Sequence, residues 1–330
     1  MPERLDAKDQ RILAALSANA RQSLSSVGRK VGLSEEVVNY RLRNLLQKRI
    51  ITAFRAEIDP FRLGYRGYRL YIRLEGADAE KEKEIYDYLA KTAEWIAACE
   101  GKYNLVYRFI ARDEFELNEI VNDISAKFSG YIREKDLTIP IEWNFYHSQS
   151  GVFKPGKPKY EEPSKKGLAK IDEKDMRIIG ILAGNARVPG SEIAQKIGLT
   201  PNAVRYRIAR LEGEKIIKGY EVAVDRTFFG LYHYKLLMHL KSTEEGTIWK
   251  LVRHCENLPN LVFLVRSIGP WEMDIDFDFK SALELHNSVL GLGSRFREIV
   301  RNYETLSIFK CGYENPYSDL KRFAWMYNKK

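Results

Sequence analysis

Cysteine is scarce in this sequence: Cys99, Cys255 and Cys311 are the only three among 330 residues, far apart and odd in number. They supply neither a disulfide framework nor a CxxC metal site, and buried or idle thiols in a reducing compartment are the expectation. Long apolar runs are absent as well. Eighteen consecutive apolar residues occur nowhere, so no membrane-spanning helix and no membrane partner are expected. The opening residues MPERLDAKDQ are charged and lack an apolar core, which speaks against a signal peptide and for a cytoplasmic location. The five histidines, 147, 233, 239, 254 and 286, show no tight ligand spacing. Neither metal nor cofactor is therefore expected.

What the chain does have is positive charge and a repeat. Lys and Arg number 54 against 45 Asp and Glu, a net charge of +9 that favours an anionic partner, nucleic acid first. Sliding the sequence on itself by 166 positions aligns residues 5–74 with 171–240 without a gap. LSEEVVNYRLRNLL at 33–46 answers LTPNAVRYRIARLE at 199–212, and the pairs Asp6/Asp172, Asn19/Asn185, Arg21/Arg187 and Gly32/Gly198 are identical. The match continues with a shift of two, where GKYNL at 101–105 answers GPWEM at 269–273. A period this long means duplicated domains rather than a solenoid. Between the copies, residues 151–170 hold three prolines and six Lys against two Glu, a composition that packs no core and reads as an exposed linker.

Each copy changes character once. Its first part is helical: KDQRILAALSAN and KDMRIIGILAGN place apolar residues on one stripe, and a short serine-led segment then ends at glycine. A third helix opens behind Ser34 or Thr200 as N-cap, with Pro201 at the one helical position where its missing N–H costs nothing. Helix, short helix, glycine turn and capped helix is the helix-turn-helix plan. The remainder of each copy alternates as β-α-β-β-α-β, a ferredoxin-like sandwich. The fold class expected is α+β, with two winged-helix or helix-turn-helix domains and two ferredoxin-like αβ-sandwich domains in tandem. The boundaries expected are helix-turn-helix 1–60, sandwich 61–150, linker 151–170, helix-turn-helix 171–226, sandwich 227–315 and a tail at 316–330.

With LD..D..IL..L..NAR in the first helix, IIKGY after the third, and the glycine-led strand entries at 101 and 269, the chain resembles the Lrp/AsnC (feast/famine) family of transcription regulators. The resemblance spans nearly the whole chain, twice over. Family members typically carry one copy, so this chain looks like their dimer joined covalently. The resemblance implies double-stranded DNA as partner of the third helix. It also implies a small-molecule effector such as an amino acid, bound between sensor domains near Gly101, Tyr103, Gly269 and Trp271, and further self-association of the pseudo-dimer. It leaves an enzyme open, because siroheme decarboxylases resemble the same family in both domains. Their basic HR..G segment is missing here, where the chain reads DPFRLGYRGYRL and DRTFFGLYHYKL. A modulator of related regulators that does not itself bind DNA is the third reading.

On the second third-helix, Val204, Ile208 and Leu211 form the core stripe, and the opposite arc holds Asn202, Arg205, Tyr206, Ala209 and Arg210. An amide suits adenine and guanidinium groups suit guanine or phosphate, so this arc is equipped to read a groove. The first copy presents Glu36, Asn39, Tyr40, Arg43 and Asn44, whose acidic entry repels phosphate. Both copies are expected to touch DNA, the second reading bases more strongly, with Arg21 and Arg187 as further contacts. In the sensor domains, MDIDFDF puts Asp274, Asp276 and Asp278 on one strand face, and the first copy carries Arg69, Arg73 and Arg108 on the corresponding face. If the two sheets pack face to face, these charges oppose each other, Arg108 aligned with Asp276. Exposed aspartates in cross-strand pairs are the alternative.

Overall fold

The computed structural model describes residues 5–145, 159–161, 167–241, 244–258, 260–313 and 315–327. In the first copy, α1 (Ala7–Ala18), α2 (Leu24–Val31) and α3 (Glu35–Gln47) form the helix-turn-helix. Asp6, Ser23 and Ser34 cap them by accepting main-chain N–H bonds, which satisfies donors that a helix start leaves unpaired. At Gly28 a Cβ would stand 2.5 Å from the Leu33 carbonyl oxygen, so only glycine lets the turn fold back here. The strand β1 (Ile51–Ile58) follows, then β2 (Arg66–Leu74), α4 (Ala79–Ala90), β3 (Trp95–Glu100), β4 (Leu105–Ala111), α5 (Glu114–Lys127) and β5 (Ile132–Phe145).

A short strand β6 (Lys159–Glu161) precedes the second copy. There α6 (Glu173–Gly184), α7 (Gly190–Ile197) and α8 (Pro201–Gly213) repeat the helix-turn-helix. Then come β7 (Ile217–Val224), β8 (Tyr232–Leu240), α9 (Glu245–Glu256), β9 (Leu261–Ile268), β10 (Met273–Phe279), α10 (Ala282–Arg295), β11 (Val300–Gly312) and a final short helix α11 (Leu320–Phe323).

The copies are interlocked at two levels. β1 and β7 pair antiparallel as a ribbon, and a single apolar core runs through both helix-turn-helix units, from Ile12 and Leu16 to Ile179 and Leu182. In the sensor half the strands run β2-β4-β3-β11-β8-β10-β9-β5, and β5 pairs with β2 again, so eight strands close into a barrel. Two long strands make the closure. β5 pairs with β2 over its first half and with β9 of the other copy over its second, and β11 pairs with β8 and then with β3 of the other copy. This exchange is why both strands run past the length that their own sandwich needs. Helices pack on the outside against Leu70, Ile72 and Phe109 in one half and Leu236, Ile275 and Phe277 in the other.

The expectations for the connecting segment and for the end of the chain need correction. Most of 151–170 lies outside the described residues, but Lys159–Glu161 pair with β5, and Ala169 is buried with its N–H on the Arg62 carbonyl. The segment after 315 is a packed strap rather than a tail. Tyr317 and Phe323 are buried, the Asn315 side-chain amide donates to the Gly180 carbonyl in α6, and the Tyr65 hydroxyl donates to the Arg322 carbonyl. Gly180 admits the strap: a Cβ there would lie 2.8 Å from the Tyr317 carbonyl oxygen.

Candidate nucleic-acid interface and interdomain cavity

The core stripes of α3 and α8 are buried, at Val38, Leu42 and Leu45 and at Val204, Ile208 and Leu211, which turns the opposite arcs to solvent. On α8, Asn202, Arg205 and Tyr206 are exposed, and Arg205 donates to the Asn202 side-chain oxygen at 3.1 Å. Arg207 is held against Asp172 and Asp175, both at 2.8 Å, and Arg41 answers it with Asp6 and Asp9. Arg210 also turns inward, donating to the buried Asp175 carboxylate, so it is less free than its arc position implies. On α3, Tyr40 and Arg43 are exposed, Asn39 and Asn44 half-buried. Glu36 is exposed, and its own backbone N–H with the Ser34 hydroxyl holds its carboxyl below the usual range, so it stays anionic at the entry of the helix.

Arg21 and Arg187 do something else. The Arg21 guanidinium donates to the Ala186 and Val188 carbonyls of the other copy, and Arg187 donates to the Ala20 and Gln22 carbonyls. Each also lies over a ring of the other copy, Arg21 on Tyr220 and Arg187 on Phe54. This reciprocal pair ties the two helix-turn-helix units together, a role that the expectation of DNA contacts did not include. Identity of the NAR run in both copies marked the residues, but nothing in the run says that the copies meet there.

Inside the barrel, Asp274, Asp276 and Asp278 are buried rather than exposed. Asp274 accepts from the buried Arg69 guanidinium, the Tyr71 hydroxyl at 2.8 Å and the Trp271 indole N–H. The other two carboxylates find partners in their own copy, Asp276 with Lys235 at 2.7 Å and Asp278 with Arg226 at 2.9 Å and His233 at 2.8 Å. Burial works against the Asp276 charge, but Lys235 and His233 outweigh it and hold the carboxyl below its ordinary range. Arg73 donates to the Lys102 carbonyl and Arg108 faces Glu94, so neither pairs with an aspartate as expected.

Tyr103 and Trp271 are fully buried against Tyr71, with ring centroids 5.4 and 4.7 Å away. A Cβ at Gly101 would meet the Thr305 carbonyl oxygen at 2.6 Å, and one at Gly269 the Leu137 carbonyl oxygen at 2.9 Å. Strands β11 and β5 thus pass close behind both turns, and Tyr103 and Trp271 are spent on the barrel interior.

Space lies instead where the β1–β7 ribbon, the barrel mouth and the strap converge. A cavity of about 210 Å³ is walled by Arg55 and Glu221 of the ribbon, Arg108 and Asp276 of the barrel, and Tyr313 and Tyr317 of the strap. Arg55 and Glu221 face each other in register and are also equivalents in the duplication, as Arg108 and Asp276 are. Burial pushes the Tyr313 hydroxyl up to about 12. Sequence reasoning missed the ribbon and strap residues because they come from segments scattered along the chain. The one available signal was that the duplicated positions 55 and 221 had acquired opposite charge. Among the described residues no group of three or more His, Cys, Asp or Glu gathers as a metal site would, and no helix is long and apolar enough to cross a membrane.

The thiols follow from the same packing. Cys99 and Cys255 are buried, and burial pushes both up to about 12; burial raises the Cys311 thiol as well, but this residue keeps exposed surface beside the cavity. Iodoacetamide at pH 7.5 should modify one thiol per chain in the folded protein and three in denaturant. Native modification of two or more would contradict the packing.

Comparison with known proteins agrees with the geometry. The AsnC-type helix-turn-helix domain matches twice, at residues 5–46 and 171–212. An uncharacterized HTH-type transcriptional regulator of Pyrococcus furiosus is 31% identical over 120 residues, 36% of this chain and 77% of that protein. The HTH-type transcriptional regulator Ptr1 of Methanocaldococcus jannaschii is 37% identical over 103 residues, 29% of this chain and 70% of its own. The crystal structure of the siroheme decarboxylase NirDL superposes with a TM-score of 0.67 over 97% of both chains. At 12% identity that likeness shows a shared fold alone. With two matched DNA-reading helices on one core and relatives of this kind, the chain belongs to the Lrp/AsnC family of helix-turn-helix transcriptional regulators, and it is a DNA-binding transcription regulator made of two family units.

Proposed function

We propose that this regulator reads an asymmetric operator through two unequal helices and that a small metabolite tunes the reading. The carrying observation is the contrast between the two exposed arcs: Asn202, Arg205 and Tyr206 on α8 against Glu36, Tyr40 and Arg43 on α3. Two unequal readers on a single core call for two unequal half-sites, where identical subunits call for a palindrome. Genomic fragments selected by the protein supply the site for a binding titration. Arg205→Ala should cost about 1–3 kcal/mol of site-specific affinity, and Arg43→Ala less, acting more evenly on all sequences. Arg210→Ala should lower fold stability more than base preference, because Arg210 serves Asp175. Equal losses for Arg205 and Arg43, or a symmetric selected site, would overturn the ranking.

A bound metabolite, rather than a chemical conversion, suits the interdomain cavity. Pockets for drug-sized ligands span roughly 300–1,000 Å³. This one is about 210 Å³, below that range and suited to a smaller metabolite. Mixing the protein with siroheme and following the absorption spectrum tests the enzyme reading directly; loss of carboxyl groups from siroheme would establish it. Self-association beyond the single chain completes the proposal, and sedimentation at rising concentration measures it.

A further inference from the structure

Most cations of the cavity are already neutralised. Lys235 has Asp276, Arg226 has Asp278, and Arg69 at the barrel wall has Asp274. Two guanidiniums keep an unused donor, although each has a carboxylate near it, Glu221 across the ribbon from Arg55 and Glu94 beside Arg108. Arg55 Nη1 and Arg108 Nε are buried and make no hydrogen bond. Arg55 lies on the face of Tyr313, 4.0 Å from the ring centroid, and Arg108 Nε stands 3.6 Å from Glu94, a carboxylate that already takes the Tyr317 hydroxyl at 2.7 Å. Burial depresses the Arg55 pKa; Tyr313 and the Glu221 carboxylate work against it, and the charge of Arg108 adds to it. A buried N–H donor without an acceptor is costly, and here two of them, on like-charged groups, face the same space. An anion entering that space removes both costs.

We infer that the cavity binds a small metabolite through a carboxylate or phosphate group seated between Arg55 and Arg108, and that its occupancy sets DNA affinity. A guanidinium presents paired N–H donors that match either oxyanion. Trp95, Val262 and Phe263 supply an apolar wall for the rest of the molecule. Coupling follows from who owns the walls. Arg55 sits on the ribbon that joins the two DNA-reading units, Arg108 on the barrel, and Tyr313 and Tyr317 on the strap between them. A ligand that touches all three favours one arrangement of ribbon and barrel, and so changes the spacing of the recognition helices. This inference rests on the regulator reading and gives its effector a place and a charge.

The test uses the full chain with succinate, L-glutamate and inorganic phosphate, each against sodium chloride at matched ionic strength. The expected result is saturable binding of at least one anion by calorimetry, a raised melting midpoint, slower alkylation of Cys311, and a DNA affinity changed at least 5-fold. Which anion binds distinguishes carboxylate from phosphate. Arg55→Met and Arg108→Met should weaken the binding more than 10-fold, and Arg55→Lys should retain part of it. Arg55→Met should melt no lower than the parent chain, since it removes a buried donor that has no acceptor, so lost binding cannot be ascribed to unfolding. Wild type shifted no further by all three anions than by chloride, or Arg55→Met binding as well as wild type, overturns the site. Anion binding that leaves DNA affinity unchanged overturns the coupling. A chain that binds DNA but no anion sinks this inference alone, whereas one that binds no DNA at all sinks the regulator reading.

Discussion

Asp274→Ala will destabilise the protein by about 3–5 kcal/mol, the cost of leaving a buried cation without its partner. Asp274 is fully buried and Arg69 nearly so, one from each copy, and the same carboxylate also accepts the Tyr71 hydroxyl and the Trp271 indole N–H. Truncation therefore strands three donors at once in the barrel interior. The linkage sets the companion variant. Arg69→Met with Asp274→Leu removes both charges and should recover most of the loss, because burying an ion pair is itself expensive and an apolar pair of similar size is often neutral. Urea unfolding of the two variants beside the parent chain measures both effects. A single-variant loss under about 1 kcal/mol would mean that the pair does not hold the two sensor sheets together.

Joint replacement of Arg21 and Arg187 by Ala should weaken binding to a two-half-site fragment by about 10–100-fold while leaving a single half-site almost unaffected. Each arginine spans from one helix-turn-helix to two main-chain carbonyls of the other. Hydrogen bonds from a charged donor contribute about 1.5–3 kcal/mol each at most. The ribbon and the shared apolar core remain, so the domains should stay folded but turn less firmly against each other. Gain from linkage depends on both readers meeting their half-sites together, and looser geometry reduces it without touching a base contact. Equal weakening on single and double half-sites would instead return Arg21 and Arg187 to the DNA surface.

Much of this architecture was legible because it is local. Caps at Asp6, Ser34 and Thr200, the left-handed glycines Gly32 and Gly198, and the apolar stripes of α3 and α8 act within a few residues of themselves. That MDIDFDF carries its three aspartates on one face was equally readable from alternation along a strand, but alternation left open whether that face is buried, and all seven residues are. Failures came where a side chain had to choose among distant partners. Arg210 has the right helical phase for a groove, yet Asp175 lies closer. Tyr103 and Trp271 stand at the glycine turns, yet their rings are buried against Tyr71 in the barrel interior.

By itself the sequence determined that the chain is a duplicated regulator-like unit, which helices would face DNA, and which strand faces carry charge. Those properties depend on periodicity and short-range steric rules. Only the tertiary structure decided that the copies exchange strand ends into a closed barrel, that identical arginines lock the DNA-reading units, and that Arg55 and Arg108 converge on a cavity, each with an unsatisfied donor. Electrostatic partnership is set by distance and burial in three dimensions, and residues 53 positions apart in the chain carry no mark of it.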